Sequence, residues 1–149
     1  MEFDAVVRIL DINTEFSTEE ACFEYLERLR WPGGVECPKC FGKKISRINS
    51  NGKTGKPRRL YQCLVCRNQF TARTGTIFQD SHLPLTTWFK AIALVGEAKN
   101  EANVNRLKRK LKIHRRTASY LLTRIRRAMA SGGRLEIASE RTGLHTFRR

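Results

Sequence analysis

Four cysteines fall in two Cys-x-x-Cys pairs, Cys37-Pro38-Lys39-Cys40 and Cys63-Leu64-Val65-Cys66, with 22 residues between them. Each pair can close a tight knuckle that points two sulfurs at one ion. Two facing knuckles give a tetrahedral four-thiolate site, the usual closed structural site for zinc. A second pair at this distance is far more specific than one pair alone. Zinc is the default because thiolates are soft and the tetrahedron suits it. A rubredoxin-type iron site uses the same ligands, and spacing does not separate the two. The alternative is two disulfides or two redox motifs, which nothing else in the chain supports. Cys22 and His82 are ligands by residue type, but four sulfurs already close the site. Cys22 instead shares helical spacing with Leu26 and Leu29, which makes it a small core residue.

The elements that must carry these knuckles are short. Ser17-Thr18-Glu19-Glu20 has capping-box form and opens a helix from about Thr18 to Leu29. Trp31-Pro32-Gly33-Gly34 stops it and turns the chain into the first knuckle. Lys43–Asn49 and Arg58–Gln62 can pair as antiparallel strands across the turn-rich stretch 50–57, and Asn68–Arg73 makes a third. Phe41, Tyr61 and Phe70 are the aromatics available to pack around the metal. A unit this small buries too little surface to stand comfortably alone, so the cysteine region is expected to be unfolded without metal. Ahead of it, residues 1–16 read as a short amphipathic element with Phe3, Val6, Val7 and Leu10 on one side.

Beyond the connector 75–83, three helices follow. Pro84 suits a first turn, and Leu85, Trp88, Phe89, Ile92 and Val95 recur at helical spacing, ending near Gly96–Asn100. Asn103 caps a short second helix with Val104, Leu107 and Leu111 inward. Lys112-Ile113-His114 is a tight break. The third helix, from about Arg115 to Ala130, turns Ala118, Leu121, Leu122, Ile125 and Met129 to the core. This order is that of a helix-turn-helix, whose last helix enters the major groove by its N-terminal residues. Arg115, Arg116, Ser119, Tyr120 and Thr123 are then the base-edge candidates. Lys108, Arg109, Lys110, Arg124 and Arg127 are the phosphate clamps. The alternative is a basic three-helix bundle with solvated arginines. The tail 131–149 shows no core pattern.

Charge agrees with a polyanion partner. The net charge is +15, but residues 1–36 carry −6 and residues 37–149 carry +21. A block this basic is most simply explained by a polyanion, and because it sits on two modules that commonly bind nucleic acid, double-stranded DNA is the expected partner. On the ribbon, Lys39, Lys43, Lys44, Arg47, Lys53, Lys56, Arg58, Arg59, Arg67 and Arg73 are available to phosphates, which position a protein without reading sequence. RNA is less expected, since the few aromatics sit where a core wants them. No stretch approaches the ~18 apolar residues of a membrane span. An odd cysteine count without an N-terminal apolar leader leads us to expect reduced thiols and a cytoplasmic, nucleoid-associated protein. No membrane partner is expected.

The runs EEACFEYLERLRWPGGVECPKC, YQCLVCRNQFTARTGTIFQDSHLPLTTWFKAI and TASYLLTRIRRAM resemble the N-terminal half of a bacterial insertion-sequence transposase family. The resemblance covers roughly Ser17 to Met129 and is most specific from Tyr61 to Trp88. Members carry a zinc ribbon and a helix-turn-helix ahead of a DDE-type nuclease domain. The resemblance implies zinc on Cys37, Cys40, Cys63 and Cys66, and binding of the element's terminal inverted repeats by the helix-turn-helix as a whole. Two departures fall on backbone turns. Phe41 precedes Gly42 where the family continues Cys-Gly, and Lys108 and Lys112 replace a small residue and a glycine.

A third departure bears on activity. DDE chemistry needs three clustered carboxylates holding two metal ions, and beyond Asn100 the carboxylates are Glu101, Glu136 and Glu140. The expectation is a DNA-binding protein without catalysis, binding inverted repeats or regulatory DNA, as a homodimer or with a full-length transposase. The other reading is a zinc-ribbon adaptor or transcription regulator that docks a protein partner through the acidic helix Thr18–Leu29. The expected fold is α+β: a small β zinc ribbon (36–75) flanked by an N-terminal helical region (1–35) and a helix-turn-helix (83–130), with a tail (131–149).

Overall fold

The computed structural model describes residues 16–48, 59–98 and 101–130. The amphipathic element read at residues 1–16, apart from Phe16, the turn at 50–57 with Lys53 and Lys56, the strand residue Arg58, and the tail at 131–149 lie outside them. The described chain is α+β: helix α1 (Glu19–Arg30), strands β1 (Ile45–Ile48), β2 (Leu60–Cys63) and β3 (Gln69–Phe70), then helices α2 (Leu85–Ala98), α3 (Val104–Leu111) and α4 (Arg115–Ala130).

Helix α1 starts one residue later than expected, because Thr18 rather than Ser17 is the cap: its hydroxyl accepts from the Ala21 amide at 3.2 Å. Glu19 and Glu20 in the first turn and Arg28 and Arg30 in the last complement the helix dipole. Glu19 also works outside its own helix. Its carboxylate accepts from the amides of Leu85 (2.9 Å) and Thr86 (3.3 Å). It thereby satisfies orphan donors at the start of α2, whose first turn holds no acid of its own.

Helix α2 is the centre of the larger core. Trp88, Phe89, Ile92 and Val95 are buried, as are Leu85, Ala91 and Ala98. Phe16, Cys22, Tyr25 and Leu26 join it in one buried cluster with Leu107, Ala118, Leu121 and Ile125. The N-terminal helix therefore shares one core with the three C-terminal helices. Phe16, Tyr25 and Phe89 meet edge to face, with ring centroids 4.9 to 6.0 Å apart. Met129 does not join them: Ala128 is buried in its place, one step round the helix, and Met129 is exposed.

The three strands form one antiparallel sheet in the order β1-β2-β3. Ile45 pairs with Cys63, Ile48 with Leu60, and Tyr61 with Phe70. Strands β1 and β3 are shorter than the sequence suggests, while β2 runs one residue further, through Cys63. The sheet has its own small core of Cys37, Tyr61, Cys63 and Phe70. Trp31, the C-cap of α1, lies 5.7 Å from Tyr61 and 5.8 Å from Phe70 by ring centroids and also touches the helical core. Two aromatics and two cysteines are too little apolar surface to fix a sheet. Metal binding, on the order of 10 kcal/mol in small zinc modules, is the missing term.

Candidate metal centre and basic surface

The two knuckles are built alike. In the first, the Phe41 amide donates to the Cys37 carbonyl at 2.9 Å and the Cys37 amide to the Gly42 carbonyl at 3.0 Å. In the second, the Arg67 amide donates to the Cys63 carbonyl at 2.9 Å and the Cys63 amide to the Asn68 carbonyl at 2.9 Å. Each turn closes only if the residue after its second cysteine takes a left-handed backbone, and Phe41 (φ 59°) and Arg67 (φ 62°) do so. Gly42 serves another need. A Cβ there would sit 3.2 Å from the Cys40 Sγ and 3.2 Å from a Val65 methyl, so any larger residue would push against both knuckles.

The four sulfurs lie within 4.8 Å of one another. Cys37 and Cys66 are 3.6 Å apart, and Cys40 and Cys63 are 3.5 Å apart. Four sulfurs at about 2.3 Å from one zinc ion form a tetrahedron with edges of about 3.8 Å. A disulfide, with sulfurs about 2.05 Å apart, does not describe these pairs, and all five cysteines are unbonded. The crowding shows in the thiols. The backbone amides of Cys66 and then Val65 draw Cys63 down to about 7. At Cys40 the Gly42 amide pulls the other way, but the thiols of Cys66, Cys63 and Cys37 and burial prevail, pushing it up to about 12. The Cys63 thiolate forms readily while Cys40 resists, a conflict that a bound divalent cation removes.

The comparisons with known proteins agree with this geometry. Residues 17–69 match the transposase zinc-ribbon domain family. This segment is similar to a transposase zinc ribbon. Over 77 residues the chain is also 32% identical to an uncharacterized protein in transposable element ISH50 of Halobacterium salinarum. That match takes in 52% of this chain and spans 25% of the relative's length. No solved structure matches the chain. Zinc is the cofactor that the transposase zinc ribbon and its four clustered cysteines fit.

Neither of the other two candidate ligands joins the site. Cys22 is fully buried in the helical core, its thiol 3.8 Å from the Phe16 carbonyl and pushed up to about 12, chiefly by burial. His82 is exposed on the connector. Phe41 differs from the expectation that it packs around the metal: the left-handed turn throws its ring outward, 69% exposed.

The ribbon cations divide. Arg59 is not open to phosphate, since it pairs with Glu27 at 3.1 Å and Glu24 at 3.0 Å. Glu27 also accepts from the Tyr61 hydroxyl at 3.0 Å. Arg73 is likewise internal: it donates to the Leu83 carbonyl at 2.7 Å, and burial lowers its pKa. Lys39, Lys44, Arg47 and Arg67 are surface cations, and Lys43 is an exposed partner of Glu36 at 3.4 Å.

The C-terminal helices leave most of the sequence candidates exposed. Asn103 caps α3 by accepting from the Arg106 amide at 2.9 Å. Lys112 ends α3 in the left-handed conformation, φ 53°, and its amide closes on the Lys108 carbonyl. The turn is thus formed without the usual glycine. Lys108, Arg109 and Lys110 on α3, and Arg115, Arg116, Ser119, Tyr120, Thr123 and Arg127 on α4, are exposed. Arg106, which the sequence reading missed, joins Arg109 and Lys110 around a recess of about 330 Å³. Its place on the same short helix, three residues before Arg109, was the available signal.

Arg124 departs from the phosphate-clamp expectation. Its guanidinium donates to the carbonyls of Ile77 (2.7 Å) and Gln79 (3.0 Å) and lies over the Tyr120 ring. Tyr120 in turn packs edge-on against Trp88, centroids 5.9 Å apart, so its ring is partly committed to the fold. Arg126 donates to the Ala102 carbonyl at 2.6 Å. No described helix is long and apolar enough to cross a membrane.

Proposed function

We propose that this is a zinc-dependent DNA-binding protein. In this reading Cys37, Cys40, Cys63 and Cys66 hold one zinc ion, and α3 and α4 form a helix-turn-helix on double-stranded DNA. The supporting observation is the exposure of the cations carried by the two helices. Lys108, Arg109, Lys110, Arg115 and Arg116 stand out from elements whose opposite faces, Leu107, Ala118, Leu121 and Ile125, are fully buried. The zinc supplies no chemistry beyond fixing the knuckles. The chain's own residues do the binding: α3 cations on phosphates, with Arg115, Arg116, Ser119 and Thr123 at base edges. The transposase zinc ribbon makes terminal inverted repeats the preferred target, bound as a homodimer or beside a full-length transposase.

We further propose that the described residues perform no strand cleavage. Among them, the group of three or more metal-liganding side chains that comes together is the four cysteines, and no carboxylate triad does. The adaptor reading draws less support, because Glu19, Glu24 and Glu27 of the acidic helix are engaged within the protein.

Selection of genomic fragments by zinc-loaded protein across a salt series tests the reading. Nonspecific binding through six to ten phosphates weakens by roughly 10³–10⁵ between 50 and 200 mM salt. A motif that survives high salt and is lost in Arg115→Ala/Arg116→Ala supports sequence reading. Loss of all enrichment with salt refutes it. Nicking of the selected DNA in magnesium or manganese refutes the non-catalytic part alone.

A further inference from the structure

We propose that the tip of the zinc ribbon is a second DNA-contacting element, an apolar wedge of Phe41, Leu64 and Val65 framed by cations. The inference rests on the DNA-binding reading only for its partner and does not need the helices to be the reader.

Three observations converge on the tip. The first is exposure: Phe41 is 69%, Val65 62% and Leu64 47% exposed, and these are three of five large exposed apolar side chains among the described residues. They belong to one surface. The Val65 methyl lies 3.2 Å from where a Cβ on Gly42 would be, next to Phe41, and the Leu64 amide donates to the Lys44 carbonyl at 2.8 Å. The second is backbone cost. Phe41 holds φ 59° at a position that glycine fills without penalty, so the aromatic is kept at some expense to the fold. It gains nothing in return from packing, since its ring is outside. The third is charge. From Cys37 to Gln79 the sequence has ten lysines and arginines and no aspartate or glutamate. Lys39, Lys44 and Arg67 flank the tip residues in sequence and are exposed.

An apolar tip in a largely cationic setting, with Glu36 before the first knuckle already paired to Lys43, fits a polyanion that also offers apolar faces. DNA does so when a side chain enters a groove and partly unstacks a base step, with cations on the flanking phosphates. Flexible pyrimidine–purine steps are the cheapest to open in this way.

The test uses full-length zinc-loaded protein and a short AT-rich duplex carrying 2-aminopurine at a TA step, whose fluorescence rises on unstacking. Phe41→Gly is the main variant, because glycine suits the left-handed turn and keeps the knuckle intact; Leu64→Ser is a second surface variant. Zinc content is measured for each. The expected result is a fluorescence rise with wild type. It is abolished in Phe41→Gly, with roughly a tenfold loss of affinity and an unchanged salt slope, since no phosphate contact is removed. Phe41→Trp restores both. Wild-type affinity and fluorescence in Phe41→Gly and Leu64→Ser would overturn the proposal. That outcome is separable from failure of the helix-turn-helix reading, in which Arg115→Ala/Arg116→Ala keeps its affinity.

Discussion

Phe41 and Arg67 occupy the same place in the two knuckles, one residue past the second cysteine, with φ of 59° and 62°. Each donates its amide to the carbonyl of the first cysteine at 2.9 Å. The left-handed backbone costs a residue with a Cβ roughly 1–2 kcal/mol, and glycine gives back part of that through its freer unfolded chain. Arg67→Gly should therefore stabilise the zinc-loaded ribbon by roughly 0.5–1 kcal/mol. Denaturant unfolding followed by zinc release reads this directly. A lower midpoint would mean that the Arg67 side chain supports the fold in a way its exposed position does not suggest.

The same turn chemistry separates what was legible in the sequence from what was not. Cysteine spacing announced the metal site, because Cys-x-x-Cys fixes local geometry whatever surrounds it. Helical periodicity found α2 and α4 to within a residue or two, and Asn103 announced α3. Tertiary choices were hidden. Arg124 looks like any other arginine on a basic helix, yet two carbonyls of the connector fold back to meet it. Met129 and Ala128 differ by one helical step, and the curvature of the core decides between them. Glu19 reads only as an acid in the first turn of its own helix and also serves a helix 66 residues further along. The connector itself gave no periodic signal, since side chain to backbone bonds at Thr76, Gln79 and Ser81 hold it rather than a repeating pattern.

The link between α1 and the sheet yields a second prediction. Glu27 is mostly buried (side chain 18% exposed) and serves both Arg59 and Tyr61, whereas Glu24 is 62% exposed. Glu27→Ala takes the acceptor from the Tyr61 phenol and leaves the Arg59 guanidinium with the exposed Glu24 alone, at a cost of roughly 1–3 kcal/mol. Glu24→Ala removes a surface pair worth under about 1 kcal/mol. Thermal unfolding of the two variants should rank them in that order, and equal shifts would show that the Glu27 cluster is solvated in solution.

Thiol reactivity gives a third. Burial, then the charge of Glu19, pushes Cys22 up to about 12 from an ordinary 9.0. Folding therefore favours the neutral thiol. That stabilisation is fully present below about pH 9 and is lost as pH rises through about 12. At pH 8 the zinc-loaded protein should leave all five cysteines slow toward an alkylating reagent. After chelation four should react quickly while Cys22 stays protected, because it lies in the helical core and not in the ribbon. Mass spectrometry counts the adducts. Five fast thiols on chelation would show that the ribbon and the helical core unfold together.

The last prediction separates arginines that hold the fold from arginines that face outward. Arg124 ties α4 to the connector through the carbonyls of Ile77 and Gln79. Its removal leaves two part-buried acceptors without a donor and should cost roughly 1–3 kcal/mol. Arg116 is exposed at the start of the same helix, and its removal should leave the unfolding midpoint within about 0.5 kcal/mol. DNA affinity should respond in the opposite sense: Arg116→Ala loses roughly ten- to a hundredfold if its guanidinium meets a guanine edge. Arg124→Ala, measured well below its midpoint, should lose little. Chemical denaturation and fluorescence anisotropy on the same two proteins decide the matter. A stable Arg124→Ala that no longer binds DNA would return Arg124 to the binding surface.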